Sequence, residues 1–337
     1  MTLTFLWLQL IAAALVVLIS AKFLTRSADI IAEKTGLGRS FVGVVMLATA
    51  TSIPELGIGI SSIALLDVPA LAAGDAFGTN LVNLAIVGIL DTYWRNGPIL
   101  NSVNISTTLI AGLTVAITSL AVLAILIHKN IQTGSEWFLS PISLIILGVF
   151  ITGMYMVYKQ SISTSHEEVN TETSNYDNEK LLKSFTTYFI ATAIIVVASV
   201  LLAKTGEGLA HEMGWEASFV GTQFLAISTS LPELATSIAA VRLNAPELAI
   251  TNLLGSNMFN HGVVLFADDA AYTSGPLWDN ISQIHSITGL LVLLMTSFIL
   301  VGLIWRPRQR LGRYWTPESV GLMMFYIISS VLIFKLA

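Results

Sequence analysis

The chain has no cysteine. That excludes disulfides, thiolate metal sites and lipidated thiols, leaves the redox compartment unreadable, and restricts any bound metal to oxygen or histidine ligands. Charge is scarce too. Only 11% of the 337 residues are charged against 54% hydrophobic, about half the charged share of an average soluble domain, so lipid is expected to cover most of the surface. No basic cluster is interleaved with aromatics and the net charge is −5, which argues against a nucleic-acid partner. An HExxH-type zinc motif, a phosphate loop and a nucleophile elbow are also missing from suitable contexts, so the chain is read as a non-enzyme. No cofactor and no obligate protein partner are marked. Met1 to Leu8 lacks a positive n-region, and the apolar run continues past signal-peptide length, so a first membrane helix is expected there rather than a cleaved signal.

What is present is a series of apolar stretches, each long enough to cross a hydrocarbon core. Ten are expected, near 5–33, 40–65, 70–90, 104–128, 136–158, 184–211, 218–241, 246–267, 283–305 and 317–336. The one long polar break, 159–183, is rich in Ser, Thr, Asn and Glu, a composition that buries no core and reads as a flexible tether. It divides 1–158 from 184–337, five spans from five. Cytoplasmic loops keep Lys and Arg. An outside N-terminus puts Lys34, Arg39, Arg95, the linker lysines, Arg242 and the group Arg306, Arg308, Arg310 and Arg313 on the cytoplasmic side. Both termini are therefore expected outside, and outside loops would hold Lys129, Asp268, Asp269 and Asp279. The expected location is a prokaryotic inner membrane.

Self-similarity carries the argument further. Ser40-Phe41-Val42-Gly43 returns as Ser218-Phe219-Val220-Gly221, and Thr51-Ser52-Ile53-Pro54-Glu55-Leu56 as Thr229-Ser230-Leu231-Pro232-Glu233-Leu234, both 178 residues on. After a one-residue deletion, Pro69 faces Pro246, Gly78-Thr79-Asn80 faces Gly255-Ser256-Asn257, and Asn83 faces Asn260, now 177 apart. An odd number of spans per copy makes the second enter the membrane from the opposite side, the inverted-repeat plan of many secondary transporters, with a binding site near the midplane. The expected fold is thus all-α and integral to the membrane, ten transmembrane helices as two inverted five-helix repeats.

The residue types suit a hard cation. Glu55 and Glu233 fall about mid-span, where an ionised carboxylate is costly and is kept for a cavity, an ion or a partner charge. Pro54 and Pro232 remove an amide hydrogen and release carbonyls of the preceding turn. Thr51, Ser52, Thr229 and Ser230 add hydroxyls one turn before each glutamate. Asn80 and Asn83, like Asn257 and Asn260, are three apart and share a helix face, with Thr79 or Ser256 alongside. Such polar residues can equally be glue between membrane helices, but two registered copies with glutamates favour a site. Calcium takes an all-oxygen shell of this kind.

Thr-Ser-x-Pro-Glu followed by Gly-Ser/Thr-Asn-x-x-Asn, twice, resembles the alpha repeats of the sodium/calcium exchanger family within the cation/calcium exchanger superfamily. The resemblance implies that helices one and six slide as a gate past a core of eight. It also implies Na⁺ and Ca²⁺ as the transported ions and exchange by alternating access. Carried over, it implies carboxylate ligands Glu55 and Glu233, hydroxyl ligands Thr51, Ser52, Thr79, Thr229, Ser230 and Ser256, amide ligands Asn83 and Asn260, and carbonyl ligands Ala48 and Ala226. Asn80 and Asn257 match positions that steady the neighbouring helix break. Departures are Ala50 and Ser228 where glycine usually precedes Thr-Ser, and Gly74-Asp75 against Thr251-Asn252 before the second motif. Asparagine in both copies at 83 and 260 argues against potassium coupling. Asp75 reads either as a guide for cations or as a helix-end charge, and His261 as a hydrogen-bonded residue or a ligand. Asp29 and Glu207 are expected to pair with Arg26 and Lys204. Rivals to exchange are a cation/proton antiporter using the same glutamates and a cation channel.

Overall fold

A computed structural model describes residues 3–64, 67, 69–130, 139–168, 176, 179–213, 226–306 and 315–336. The described residues are overwhelmingly helical, as a chain in lipid requires when every backbone amide must find its partner internally. The helices are α1 (Leu3–Thr35), α2 (Gly38–Ala64), α3 (Pro69–Tyr93), α4 (Thr107–Asn130), α5 (Pro141–Glu168), α6 (Leu181–Met213), α7 (Leu231–Arg242), α8 (Pro246–Phe259), the short α9 (Leu277–Asn280), α10 (Ile284–Trp305) and α11 (Pro317–Leu336). Among the described residues seven are long and apolar enough to cross a membrane: α1 to α6 and α10. The other three expected spans fall short for separate reasons. The span at 218–241 runs partly over residues outside the described set, leaving the 12 residues of α7. At 246–267, α8 carries Thr251, Asn252, Ser256 and Asn257, all buried, so its polarity lowers the signal. In α11 the apolar part is Pro317–Ile333.

The expected repeat extends to whole elements. Long helices occupy the matching places in the two copies, α1 over Leu3–Thr35 and α6 over Leu181–Met213. These two helices lie against each other, and α1 also meets α7. Val17 and Ala21 of α1, Ala198 of α6 and Ala235 of α7 make a small buried cluster apart from the main core. Phe5, Leu8, Ile11, Leu15, Ile19 and Phe23 remain exposed along α1, a surface for lipid rather than water. The main core gathers α2, α3, α4, α8 and α10 around Leu47, Phe77, Leu84, Ile117, Leu253, Leu254 and Met295.

Among the described residues two π-helical turns interrupt the ladder, Val42–Leu47 within α2 and Asn260–Val264 after α8, which then continues as Leu265–Ala271. A π turn holds one more residue than an α turn. The second explains a change of register: Asn83 and Asn260 stand 177 apart, whereas Asp91-x5-Gly97-Pro98 and Asp269-x5-Gly275-Pro276 stand 178 apart. That third repeated element escaped the sequence reading. Asp91 accepts a bond from the Ile99 amide at 2.8 Å and from the Thr316 hydroxyl at 2.7 Å. Asp269 accepts from the Leu277 amide at 2.8 Å, the Ser140 amide at 2.9 Å and the Ser143 hydroxyl at 2.6 Å. Each aspartate thus fastens its own turn and the start of a helix from the other copy. Gly97 and Gly275 have φ of 105° and 127°, values that exclude a side chain at little strain.

Three expectations change here. Asp268 and Asp269, read as charges of an outside loop, are both fully buried, because the extra π-turn residue carries the helix on through them to Ala271. Asp29 pairs with Arg39 at 2.7 Å, not with Arg26, and takes a 2.9 Å bond from the Tyr176 hydroxyl; Arg26 meets Glu179 at 3.0 Å. Arg26 lies only three residues from Asp29 on α1, but Arg39, where α2 begins, faces it across the turn. The Glu207 side chain lies outside the described residues. Finally, α5 continues to Glu168 and α6 begins at Leu181, so helix takes up much of the segment read as a tether; 169–175 and 177–178 lie outside the described residues.

Candidate cation site

All twelve residues expected at the site are at most 1% exposed. They are delivered by the middle of α2, the middle of α3, the break before α7 with the first turn of α7, and α8 with the π turn that follows it. Pro54 sits inside continuous α2. Its counterpart Pro232 lies in the first turn of α7, after a break at Ser230 (φ −77°, ψ 0°) that separates Leu231–Arg242 from the helical residues Ala226–Thr229. The proline pair therefore opens the backbone in the second copy and leaves it continuous in the first. Gly255 brings α8 onto α2: a Cβ there would lie 2.7 Å from Val44 Cα.

The polar groups interlock between copies. Ser52 donates to Glu233 Oε1 at 3.3 Å and Ser256 to the same oxygen at 3.4 Å. The Thr51 hydroxyl lies 3.4 Å from that of Ser256, and the Thr79 hydroxyl 3.3 Å from that of Thr229, which is one contact repeated with the copies exchanged. Asn80 Nδ2 donates to the Asn257 carbonyl and Asn257 Nδ2 to the Asn80 carbonyl, each at 3.2 Å. Asn83 donates to Asn257 Oδ1 and Asn260 to Asn80 Oδ1, each at 3.0 Å. Asn80 and Asn257 are thus the anchors and Asn83 and Asn260 the residues they orient. The Ala48 carbonyl accepts from Thr51 at 3.2 Å, and that of Ala226 accepts from Ser230 at 2.7 Å and Thr229 at 3.2 Å.

After this accounting, five buried oxygens of the expected ligands have no hydrogen-bond partner: Glu55 Oε1 and Oε2, Glu233 Oε2, Asn83 Oδ1 and Asn260 Oδ1. A buried polar atom left unsatisfied costs roughly 1–3 kcal/mol, and more if charged, and such atoms are rare in native folds. Here they fall on matched residues of the two copies, Glu55 with Glu233 and Asn83 with Asn260, and all five are acceptors. An amide that spends its NH₂ on an anchoring asparagine is left with its oxygen. What satisfies five acceptors together is a donor-rich or positively charged guest, and for carboxylate and amide oxygens that guest is a hard cation. Among the described residues no three His, Asp or Glu form a tight metal cluster, so neutral oxygens make up most of the set.

His261 is hydrogen-bonded, with the Thr118 hydroxyl 2.9 Å from Nδ1 and Asn80 Nδ2 3.0 Å from Nε2. Asp75 is buried and accepts a 3.4 Å bond from Thr229, which puts it beside the site. The sequence reading missed Asp268, also buried, whose carboxylate lies against Gly59, one turn beyond Glu55. Its signal was the Asp91 and Asp269 match, which places 268 within a helix and not in a loop.

A family model described as sodium/calcium exchanger protein matches residues 5–156 and 183–335. The inner membrane protein YrbG of Escherichia coli is 26% identical over 347 aligned residues, covering 96% of this chain and 98% of that protein. The sodium/calcium exchanger MaX1 of Methanosarcina acetivorans is 25% identical over 339 residues, 93% of each chain. The fold is similar to that of the sodium-calcium exchanger NCX_Mj, with a TM-score of 0.72, 16% identity, and coverage of 98% and 99%. Because the two matched segments carry every helix that lines the buried oxygens, this multi-pass membrane protein belongs to the sodium/calcium exchanger family.

Proposed function

We propose that the protein exchanges Na⁺ for Ca²⁺ by alternating access, with both ions using one midplane site. Its ligands are Glu55 and Glu233, the hydroxyls of Thr51, Ser52, Thr79, Thr229, Ser230 and Ser256, the amide oxygens of Asn83 and Asn260, and the carbonyls of Ala48 and Ala226. The observation that carries this reading is the set of five buried, unpartnered acceptor oxygens contributed by both copies of the motif. Two carboxylates neutralise one Ca²⁺, or two Na⁺ with little residual charge. If the ions share ligands they compete, and a site that crosses only when filled couples one gradient to the other. A third Na⁺ would make exchange electrogenic.

The topology proposed with it is ten spans in two inverted five-helix repeats, 1–158 and 184–337, joined by a cytoplasmic segment, 159–183, with both termini outside. The Asp91 and Asp269 turns, each closed by the same bond to the amide eight residues on, support the repeat. The contact of α1 with α6 along their length supports a gate in which the two move as a unit.

The test is radiolabelled Ca²⁺ uptake into proteoliposomes loaded with Na⁺, against K⁺- and choline-loaded controls at clamped pH. Uptake that needs internal Na⁺ supports the exchanger. Uptake that ignores Na⁺ and follows an imposed pH gradient makes it a cation/proton antiporter, and flux with no counter-ion dependence makes it a channel.

A further inference from the structure

The two copies of the motif are not equal on their two sides. One turn beyond Glu55 on α2 lies Gly59, and the matching residue one turn beyond Glu233 on α7 is Ser237. Asp75, ahead of Gly78 on α3, matches Asn252 on α8. In the second copy the pair is neutral and hydrogen-bonded: Asn252 Nδ2 donates to Ser237 and Thr236 at 3.2 Å each. The first copy replaces that serine by a glycine and that amide by a carboxylate, so both bonds disappear.

The space left by the missing side chain is filled by another acid. A Cβ at Gly59 would lie 2.5 Å from Asp268 Oδ1 and 2.7 Å from Oδ2. The segment Leu265–Ala271 that carries Asp268 packs on both α2 and α3. In the repeat register Asp268 matches Leu90, so an apolar position of one copy is a carboxylate in the other. Both of its oxygens are fully buried and have no hydrogen-bond partner. Asp75 stands on α3, against which the Asp268 segment packs, and accepts a 3.4 Å bond from Thr229 of the central site. The neighbouring Asp269 is committed to the Ser140, Ser143 and Leu277 bonds. Among the described residues no arginine or lysine makes an ion pair with Asp268 or Asp75.

We infer that Asp268 and Asp75 form a second divalent-cation site, one turn from the central one, on the side of the molecule where α2 ends and α3 begins. The inference rests on the exchanger reading for the identity of the central site. Two carboxylates balance the charge of one Ca²⁺ and supply only part of the six to eight oxygens the ion takes. With few protein ligands the site is weak, in the range of about 10⁻⁴–10⁻³ M. In the proposed orientation this side faces out, so the site loads external Ca²⁺ next to Glu55 and has no acidic counterpart facing the cytoplasm.

The test is equilibrium dialysis of the purified full-length protein against radiolabelled Ca²⁺ in choline buffer. The parent is compared with Asp268→Leu, Asp75→Asn and the double variant Glu55→Gln/Glu233→Gln. Leu and Asn are the residues the other copy carries at those two positions, and a thermal unfolding midpoint checks that each variant is folded. The expected result is two classes of site in the parent. Asp268→Leu and Asp75→Asn lose only the weak class, and the double Gln variant loses only the tight one. Two classes surviving in folded Asp268→Leu overturn the inference. A single class in the parent, lost in the double Gln variant, also overturns it and leaves the exchanger reading standing. No binding by the parent overturns both.

Discussion

Asn80 and Asn257 hold each other by their backbones: each side-chain amide donates to the other's carbonyl at 3.2 Å. Their own side-chain oxygens then receive Asn260 and Asn83 at 3.0 Å. This reciprocal pair joins the two copies of the motif at the depth of the glutamates and sets which way the site amides point.

Loss of one anchor should loosen one amide ligand without removing a carboxylate. Asn80→Ala and Asn257→Ala are each expected to raise the Ca²⁺ concentration for half-maximal Na⁺-driven uptake by about 10–100-fold, the usual effect of supporting residues around a metal. The double variant should fall short of the product of the two, because the two amides that the anchors orient serve one site. A Ca²⁺ titration of uptake in the four proteins checks this.

Gly255 lets α8 seat against α2, and the nearest atom to an added Cβ is backbone, Val44 Cα at 2.7 Å. Backbone cannot turn aside as a side chain can. Gly255→Ala is expected to cost roughly 1–3 kcal/mol, as overpacking does. Gly57→Ala on α2, where nothing lies within 4 Å, should cost nothing measurable. Thermal unfolding in one detergent compares the two.

Asp91 and Asp269 each tie a turn to a helix of the other copy. Asp269→Ala strands the buried amides of Ser140 and Leu277, at roughly 1–3 kcal/mol each. Its thermal midpoint should fall further than that of Asp279→Ala, which removes a charge from the short α9. The same assay serves.

Asp29 on α1 binds Arg39 at the start of α2 and Tyr176 between α5 and α6. Burial, with help from the Asp29 charge and hydrogen bond, pushes the Tyr176 hydroxyl up to about 12. A raised value means the neutral, donating form is the one folding favours. The contact is therefore whole below the ordinary tyrosine range near pH 10 and is lost as pH rises through about 12. The spectroscopic tyrosine titration of the parent minus that of Tyr176→Phe should show one late-ionising group.

How much of this was legible in the sequence depends on how local each signal was. Thr51 to Glu55 and Gly78 to Asn83 were readable because their spacing lies within one helix and recurs whole at 229–234 and 255–260. The pairing of Asp29 with Arg39 was not, because the turn between α1 and α2 decides which arginine faces the acid. Asp268 was read as a loop charge because polarity near an expected span end looks like solvent; only the register shift at Asn260–Val264 distinguishes a buried position. The span at 246–267 shows the converse. Residues that make a site polar, such as Thr251, Asn252, Ser256 and Asn257, weaken the hydropathy by which a span is recognised.

The central claim is that Glu55 and Glu233, one from each copy, belong to a single site. The direct test is the initial rate of Na⁺-driven Ca²⁺ uptake in proteoliposomes for the parent, Glu55→Gln and Glu233→Gln, each shown to be folded and inserted. Each variant is expected to lose at least about 100-fold, beyond the usual effect of a supporting residue, because either change removes half the charge that balances Ca²⁺. Near-parental Na⁺-driven uptake by either variant would contradict a site shared by the two copies.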